Sequence, residues 1–358
     1  MAPDGVVPVN PGTPIGTGLT PPALPSGVVP KNPGTSLGTG LTTPSLASGV
    51  AMDKMDQKAG QLGAVAGAPL VAGLAGIMDV QGGFRRLYER GTMYMRIGGT
   101  PFFLNQVTAH RYDILGNTGS FLGFPVSDTE PDPRDQGSGL TRFEQGTIYF
   151  WPDLGAIELQ QVSVRYLGFH CFGETSELSA SDEPYFAFGV LPMNVEQKAT
   201  LRSRIYEDVD AGESVADELE LYRGEPTGVV ISVNLAEHDE GDPEKYKEHV
   251  DEAVDKAADG VTAALGEIPA AGPAFAFIAQ VAFFIAGPDL KRRVNELLGT
   301  DDDHVGSVDV VLSTKDLVQL TRTLSPSFEG IFAQFESPLI SGDGASYKAY
   351  FEVQAVPF

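Results

Sequence analysis

Few residues in this chain have the type and spacing that catalysis needs. It has five histidines and one cysteine. His110, His170, His238, His249 and His304 form no His-Glu-x-x-His pair, so a metalloprotease zinc helix is not encoded. No Walker A phosphate loop occurs. Cys171 follows His170 directly. Neighbours on a strand point to opposite faces, so these two cannot pair as nucleophile and base, and Cys171 reads as a core cysteine. Having a single cysteine also excludes an intrachain disulfide. No catalytic residue is assigned, and the chain reads as a binding protein rather than an enzyme.

Two kinds of binding chemistry remain. Acidic residues cluster at Asp301, Asp302 and Asp303, at Asp239, Glu240 and Asp242, and at Asp182 and Glu183 with Glu174 and Glu177 nearby. Calcium takes several such oxygens from converging loops. None of the clusters has EF-hand spacing. Asp301, Asp302, Asp303, Asp182 and Glu183 are the candidate calcium ligands, and no other cofactor is implied. The second chemistry is aromatic. Flat ring faces stack on sugar C–H groups, and a few polar neighbours orient the ligand. Trp151, the single tryptophan, stands before Pro152. With Tyr149, Phe124, Asp128, Glu130 and Asp153 it forms the candidate ligand-binding set. The same aromatics read first as core residues that hold the module together, and as a sugar platform second.

The net charge of -24 argues against nucleic acid, and Lys291, Arg292 and Arg293 form the only basic run. It also argues against unaided docking on anionic lipid. Residues Met1 to Pro8 show neither a basic nor an apolar leader region. Retention in the cytoplasm and export by a non-classical route both stay open.

The elements that position the aromatics repeat. An offset of 55 residues places Tyr88–Tyr94 on Phe143–Tyr149 and Leu104–Val107 on Leu159–Val162. One full unit and the start of a second are read over 81–160. Between them lie Leu122, Gly123, Phe124 and Pro125, within Thr118–Glu130. With Arg142–Ala156 these residues resemble the LGFP repeat, a module of bacterial, mostly actinobacterial, cell-envelope proteins. The resemblance covers about residues 81–160. It implies a short strand pair at each aromatic-Glu-x-Gly-x-x-Tyr stretch, with Gly91 and Gly146 where a side chain would not fit. Tyr112 to Gly116 reads as a helical lead-in to the turn. The resemblance also implies attachment to cell-wall glycan, peptidoglycan or arabinogalactan, and a location at the envelope or outside the cell.

The rest of the chain divides around this module. Residues 1–50 form a Pro/Gly-rich tail without aromatics, expected to be disordered. An offset of 22 residues superimposes Val6–Thr20 on Val28–Thr42, which reads either as a flexible or polyproline-II-like spacer or as a pair of motifs that dock a protein partner. The tail resembles the N-terminal loading sequences of encapsulin cargo proteins. Residues 51–80 read as an Ala/Gly-rich linker or small helix.

Residues 161–358 read as an antiparallel β-sandwich-like domain. Its strands are Val162–Phe172, Pro184–Leu191, Ser203–Tyr206, Thr227–Leu235, Val308–Leu312 and Tyr347–Ala355. A helical insertion spans 243–299. Asp242 and Pro243 start its first helix, with an apolar stripe from Tyr246 to Leu265. Ile268 to Gly287 carries no charge.

The fold class expected is therefore mainly β with an α-helical insertion, α+β overall. The leading function is non-catalytic attachment to the envelope, with the C-terminal domain as interaction or effector domain. One alternative is a membrane-active effector that uses the helices of 244–298. It would insert through 268–287, with Phe275, Phe277, Phe283 and Phe284 in the bilayer. A wall hydrolase is the other.

Overall fold

The computed structural model describes residues 46–133, 135–175, 182–238, 242–268, 275–286, 289–298, 304–328 and 330–358. The repeated tail motifs lie outside these residues. Helix α1 (Leu46–Leu62) leads into a four-stranded meander of β1 (Met78–Val80), β2 (Gly83–Tyr88), β3 (Gly91–Arg96) and β4 (Pro101–Asn105). Helix α2 (Gln106–Leu115) leads into a second meander of β5 (Glu130–Pro131), β6 (Gly139–Phe143), β7 (Gly146–Trp151) and β8 (Gly155–Leu159). The two share one register. Tyr88 pairs with Gly91 as Phe143 pairs with Gly146, and Thr92 pairs with Leu104 as Thr147 pairs with Leu159. Gly91 and Gly146 are required by close approach. A Cβ at Gly91 would lie 2.0 Å from the Leu104 carbonyl oxygen, and one at Gly146 would lie 3.0 Å from that of Leu159.

The first unit is more complete than the sequence suggests. Residues Ala66, Gly67, Ala68 and Pro69 make the same turn as Leu122, Gly123, Phe124 and Pro125. Gly67 has φ 74° and Gly123 has φ 69°. Ala66 and Ala68 carbonyls accept from Arg90 and Glu89 amides at 3.1 and 3.0 Å. Leu122 and Phe124 carbonyls accept from Gln145 and Glu144 amides at 3.1 and 3.0 Å. The Ala68 amide donates to Glu89 Oε2 at 3.1 Å, and the Phe124 amide donates to Glu144 Oε2 at 3.0 Å. Pro69 bridges Tyr88 as Pro125 bridges Phe143. The chain thus holds two full units, each a helix, a turn and a meander. The stretch read as a linker or small helix supplies the turn of the first and most of its helix, which starts at Leu46, within the end of the expected tail.

The C-terminal strands are β9 (Gln161–Gly173), β10 (Pro184–Pro192), β11 (Ala199–Arg202), β12 (Ser214–Gly224) and β13 (Val229–Glu237). Helices α3 (Pro243–Gly266), α4 (Phe275–Ala286) and α5 (Asp289–Leu298) follow. Then come β14 (His304–Leu312), α6 (Thr314–Leu320), β15 (Ser327–Phe328), β16 (Ile331–Phe332), β17 (Phe335–Glu336), β18 (Ile340–Gly342) and β19 (Ala345–Val356). One antiparallel sheet has the order β11-β10-β13-β14, the other β12-β9-β19-β17. Side chains from both sheets fill the space between them, among them Phe169, Phe186, Phe188, Ile231, Val310 and Phe351. The expected mainly β, antiparallel architecture is what the chain adopts.

The strand at Ser203–Tyr206 does not form. The Ser203 and Tyr206 amides reach the Phe186 and Pro184 carbonyls at 2.9 and 3.0 Å without a regular ladder. Strand β12 has no clean apolar alternation in the sequence, because Glu218 and Glu220 occupy outward positions and the half-buried Asp217 accepts from the Tyr206 hydroxyl at 2.6 Å.

Strands β10 and β13 are buried along their whole length, because helices cover the sheet's other face. Tyr185, Ala187, Leu191 and Val230 meet Tyr246, Val250, Val254 and Val261 of α3 there, with Leu290 and Val294 of α5. Asp242 caps α3 by accepting from the Glu244 amide at 3.0 Å, and Pro243 opens the helix. Helix α4 docks through Phe283 and Ala279, while Ile278 and Ile285 face outward. Among the described residues no helix is long and apolar enough to cross a membrane.

One charge is held at cost in this layer. Asp309 of β14 accepts from the Lys291 amide in the first turn of α5 at 3.3 Å. Burial, against the smaller effects of that amide and the Lys291 charge, pushes its carboxyl up to about 6. The folded chain therefore holds this proton at a pH where the unfolded chain has lost it. Asp309 supports stability below its ordinary carboxyl range, and that support is lost as pH rises toward 6. Asp309→Asn should be more stable than the parent by about 2 kcal/mol at pH 7 to 8, with the gap closing near pH 4. Melting temperatures across that range test this, and parallel pH curves would refute it.

Candidate functional site

The Leu122–Pro125 turn is built as a clamp between units. Asn105 starts α2 by accepting from the Thr108 amide at 2.9 Å, and Gly116 ends it with φ 102°. Leu122 is fully buried among Tyr94, Leu104, Tyr112, Phe143 and Ile148. The Tyr112 hydroxyl donates to the Gly123 carbonyl at 2.6 Å. Phe124 lies against Gly83, where a Cβ would come within 2.9 Å of the ring. The Arg96 guanidinium sits 4.8 Å from the Phe124 ring centre and pairs with Glu144. Asp128 accepts from the Phe103 amide at 2.8 Å and pairs with Lys58. Phe124 and Asp128 thus tie the first unit to the second.

The other four ligand candidates gather at the far face of the second meander. Tyr149 and Trp151 stack with ring centres 6.2 Å apart and planes 5° apart. Both are nearly buried, in one apolar cluster with Leu140, Ile157 and Leu159 and the sandwich interior. Glu130 is buried and paired with Arg142. Burial raises its carboxyl above the usual range, with Arg142 opposing. Asp153 pairs with Lys315 of α6 at 2.8 Å, which lowers its carboxyl.

Between the meander and the C-terminal domain lies a cleft of about 330 Å³. It is lined by Asp132, Asp135 and Trp151 on one side and by Gln280, Phe284, Ser313 and Lys315 on the other. Asp135 accepts from the Ser138 hydroxyl at 2.7 Å, and Ser313 caps α6. A chamber of about 30 Å³ adjoins it, with Arg142, Tyr149, Glu225 and Gln280 among its walls. Asp132, Asp135, Gln280, Ser313 and Lys315 were not singled out from sequence. Lys315 and Asp153 are 162 residues apart, and no local pattern joins them.

Of the remaining candidates whose side chains the structure describes, Phe284 alone lines this cleft. Asp182 accepts from the Thr175 amide and hydroxyl and, at 2.7 Å, from the Tyr347 hydroxyl, acting as an internal hydrogen-bond hub. The Glu183 amide donates to Glu237 at 3.4 Å. Asp301, Asp302 and Asp303 lie outside the described residues. Among the described residues no group of three or more His, Cys, Asp or Glu side chains is placed to hold a metal. Phe275 and Phe277 belong to α4, but their side chains lie outside what the structure describes. Phe283 is fully buried under α3, and Phe284 lines the cleft. His170 meets Ser214 at 2.8 Å, while Cys171 points into the core and burial raises its thiol.

Residues 122–165 match the family model of the LGFP repeat. The match takes in the turn, the second meander and the start of β9. The LGFP repeat is in general a cell-envelope-associated module. No curated protein matches the chain.

If the turn is a packing device, its backbone should be intolerant of change. Gly123→Ala forces a side chain onto a left-handed residue and brings Cβ within 2.4 Å of Glu144 Oε2. It should cost about 1–3 kcal/mol. Tyr112→Phe should cost about 1 kcal/mol through the lost hydroxyl. Urea titration measures both, and an unchanged midpoint in Gly123→Ala would refute the clamp.

Proposed function

We propose that this chain is a non-catalytic attachment protein of the bacterial cell envelope. Its two LGFP-type units hold wall glycan, peptidoglycan or arabinogalactan, and its C-terminal domain is presented there as an interaction or effector domain. The match over 122–165 carries this reading. The geometry supports it in one respect. Trp151, Asp132 and Asp135 of the second unit line a cleft of a size suited to a small ligand.

Co-sedimentation of the intact chain with purified peptidoglycan and with arabinogalactan tests the proposal. Retention on at least one polymer, saturable and competed by soluble fragments of it, is expected. Failure to sediment with either would overturn the reading. Trp151→Ala is a poor control, because emptying that buried site should cost about 3–5 kcal/mol.

A further inference from the structure

We infer that the glycan contact, within the attachment reading above, is a composite site made jointly by the second unit and the C-terminal domain. It selects sugar units that carry no anionic group.

The composite character follows from the walls. Asp132, Asp135 and Trp151 come from the β5–β8 meander, whereas Phe284, Ser313 and Lys315 come from α4 and the β14–α6 junction. Neither side encloses the cleft alone. The Asp153–Lys315 ion pair crosses from one side to the other at its rim. Trp151 is only 4% exposed, and it borders the cleft. Phe284 gives a second apolar wall. Such an arrangement seats the C–H face of a sugar ring while carboxylates accept from its hydroxyls.

Selectivity follows from charge. Among the described residues the cleft and its rim carry the carboxylates Asp132, Asp135 and Asp153 against one ammonium, Lys315. Lys315 is already paired, and Asp153 holds it protonated. The whole chain carries a net charge of -24. A phosphate-bearing polymer would meet like charge at close range, whereas hydroxyl and amine donors meet acceptors.

The single tryptophan lines the cleft, so its fluorescence reports binding there directly. The intact chain would be titrated with chitotetraose, with an arabinogalactan oligosaccharide and with a glycerol-phosphate polymer. A saturable fluorescence change with one of the neutral glycans and none with the phosphate polymer is expected. The double substitution Asp132→Asn with Asp135→Asn should weaken the neutral glycan about tenfold or more and relax the rejection of phosphate. Far-UV dichroism confirms that this variant is folded. Binding of the phosphate polymer by the parent would overturn the selectivity. Wall retention that the folded double variant shares undiminished would overturn the cleft and leave the attachment reading standing. Absence of wall retention in the parent would remove both.

Discussion

The structure depends on how the second face of each meander is covered. A four-stranded sheet has two faces, and each helix-and-turn covers only one. In the first unit the open face carries Tyr94 and Leu104. The helix and turn of the second unit cover it, with Tyr112 and Leu122 packed on them. In the second unit the residues 55 positions on, Tyr149 and Leu159, are covered by the sandwich instead. The sandwich thus stands where a third unit would, and terminates the stack as a capping element does in repeat proteins. Two units would otherwise leave an apolar sheet face in water.

This explains why the aromatic residues of the repeat are mostly packing residues. Tyr149, Trp151, Phe124 and Leu122 each sit at a joint between successive layers. Beside Trp151 such a joint is imperfectly filled, and a cleft remains. There Gln280 and Phe284 of α4, with Ser313 and Lys315 at the start of α6, stand across the cleft from the meander. The candidate site is therefore a product of the capping arrangement and not of the turn that defines the repeat.

Much of the fold was legible, for identifiable reasons. The 55-residue offset showed because aromatic, Glu, Gly and Tyr positions all recur in it. Helix α3 showed through Asp242, Pro243 and an unbroken apolar stripe. The turn at Ala66–Pro69 was hidden, because main-chain hydrogen bonds and the glycine hold it. Alanines replace the leucine and phenylalanine that make the second copy recognisable. Strand β12 was hidden by its charged outer face. Of the site, Trp151 and Asp153 were visible as residue types. The burial of Trp151 and the pairing of Asp153 with Lys315 were not, since both arise from contacts between distant parts of the chain.

Native-state hydrogen exchange in increasing urea tests the shared core most directly. If the sandwich caps the second unit, amides of β6 and β7 should lose protection at the same urea concentration as those of β9 and β13, in one cooperative opening. Exchange of β6 and β7 at clearly lower urea, with β9 and β13 still protected, would contradict it.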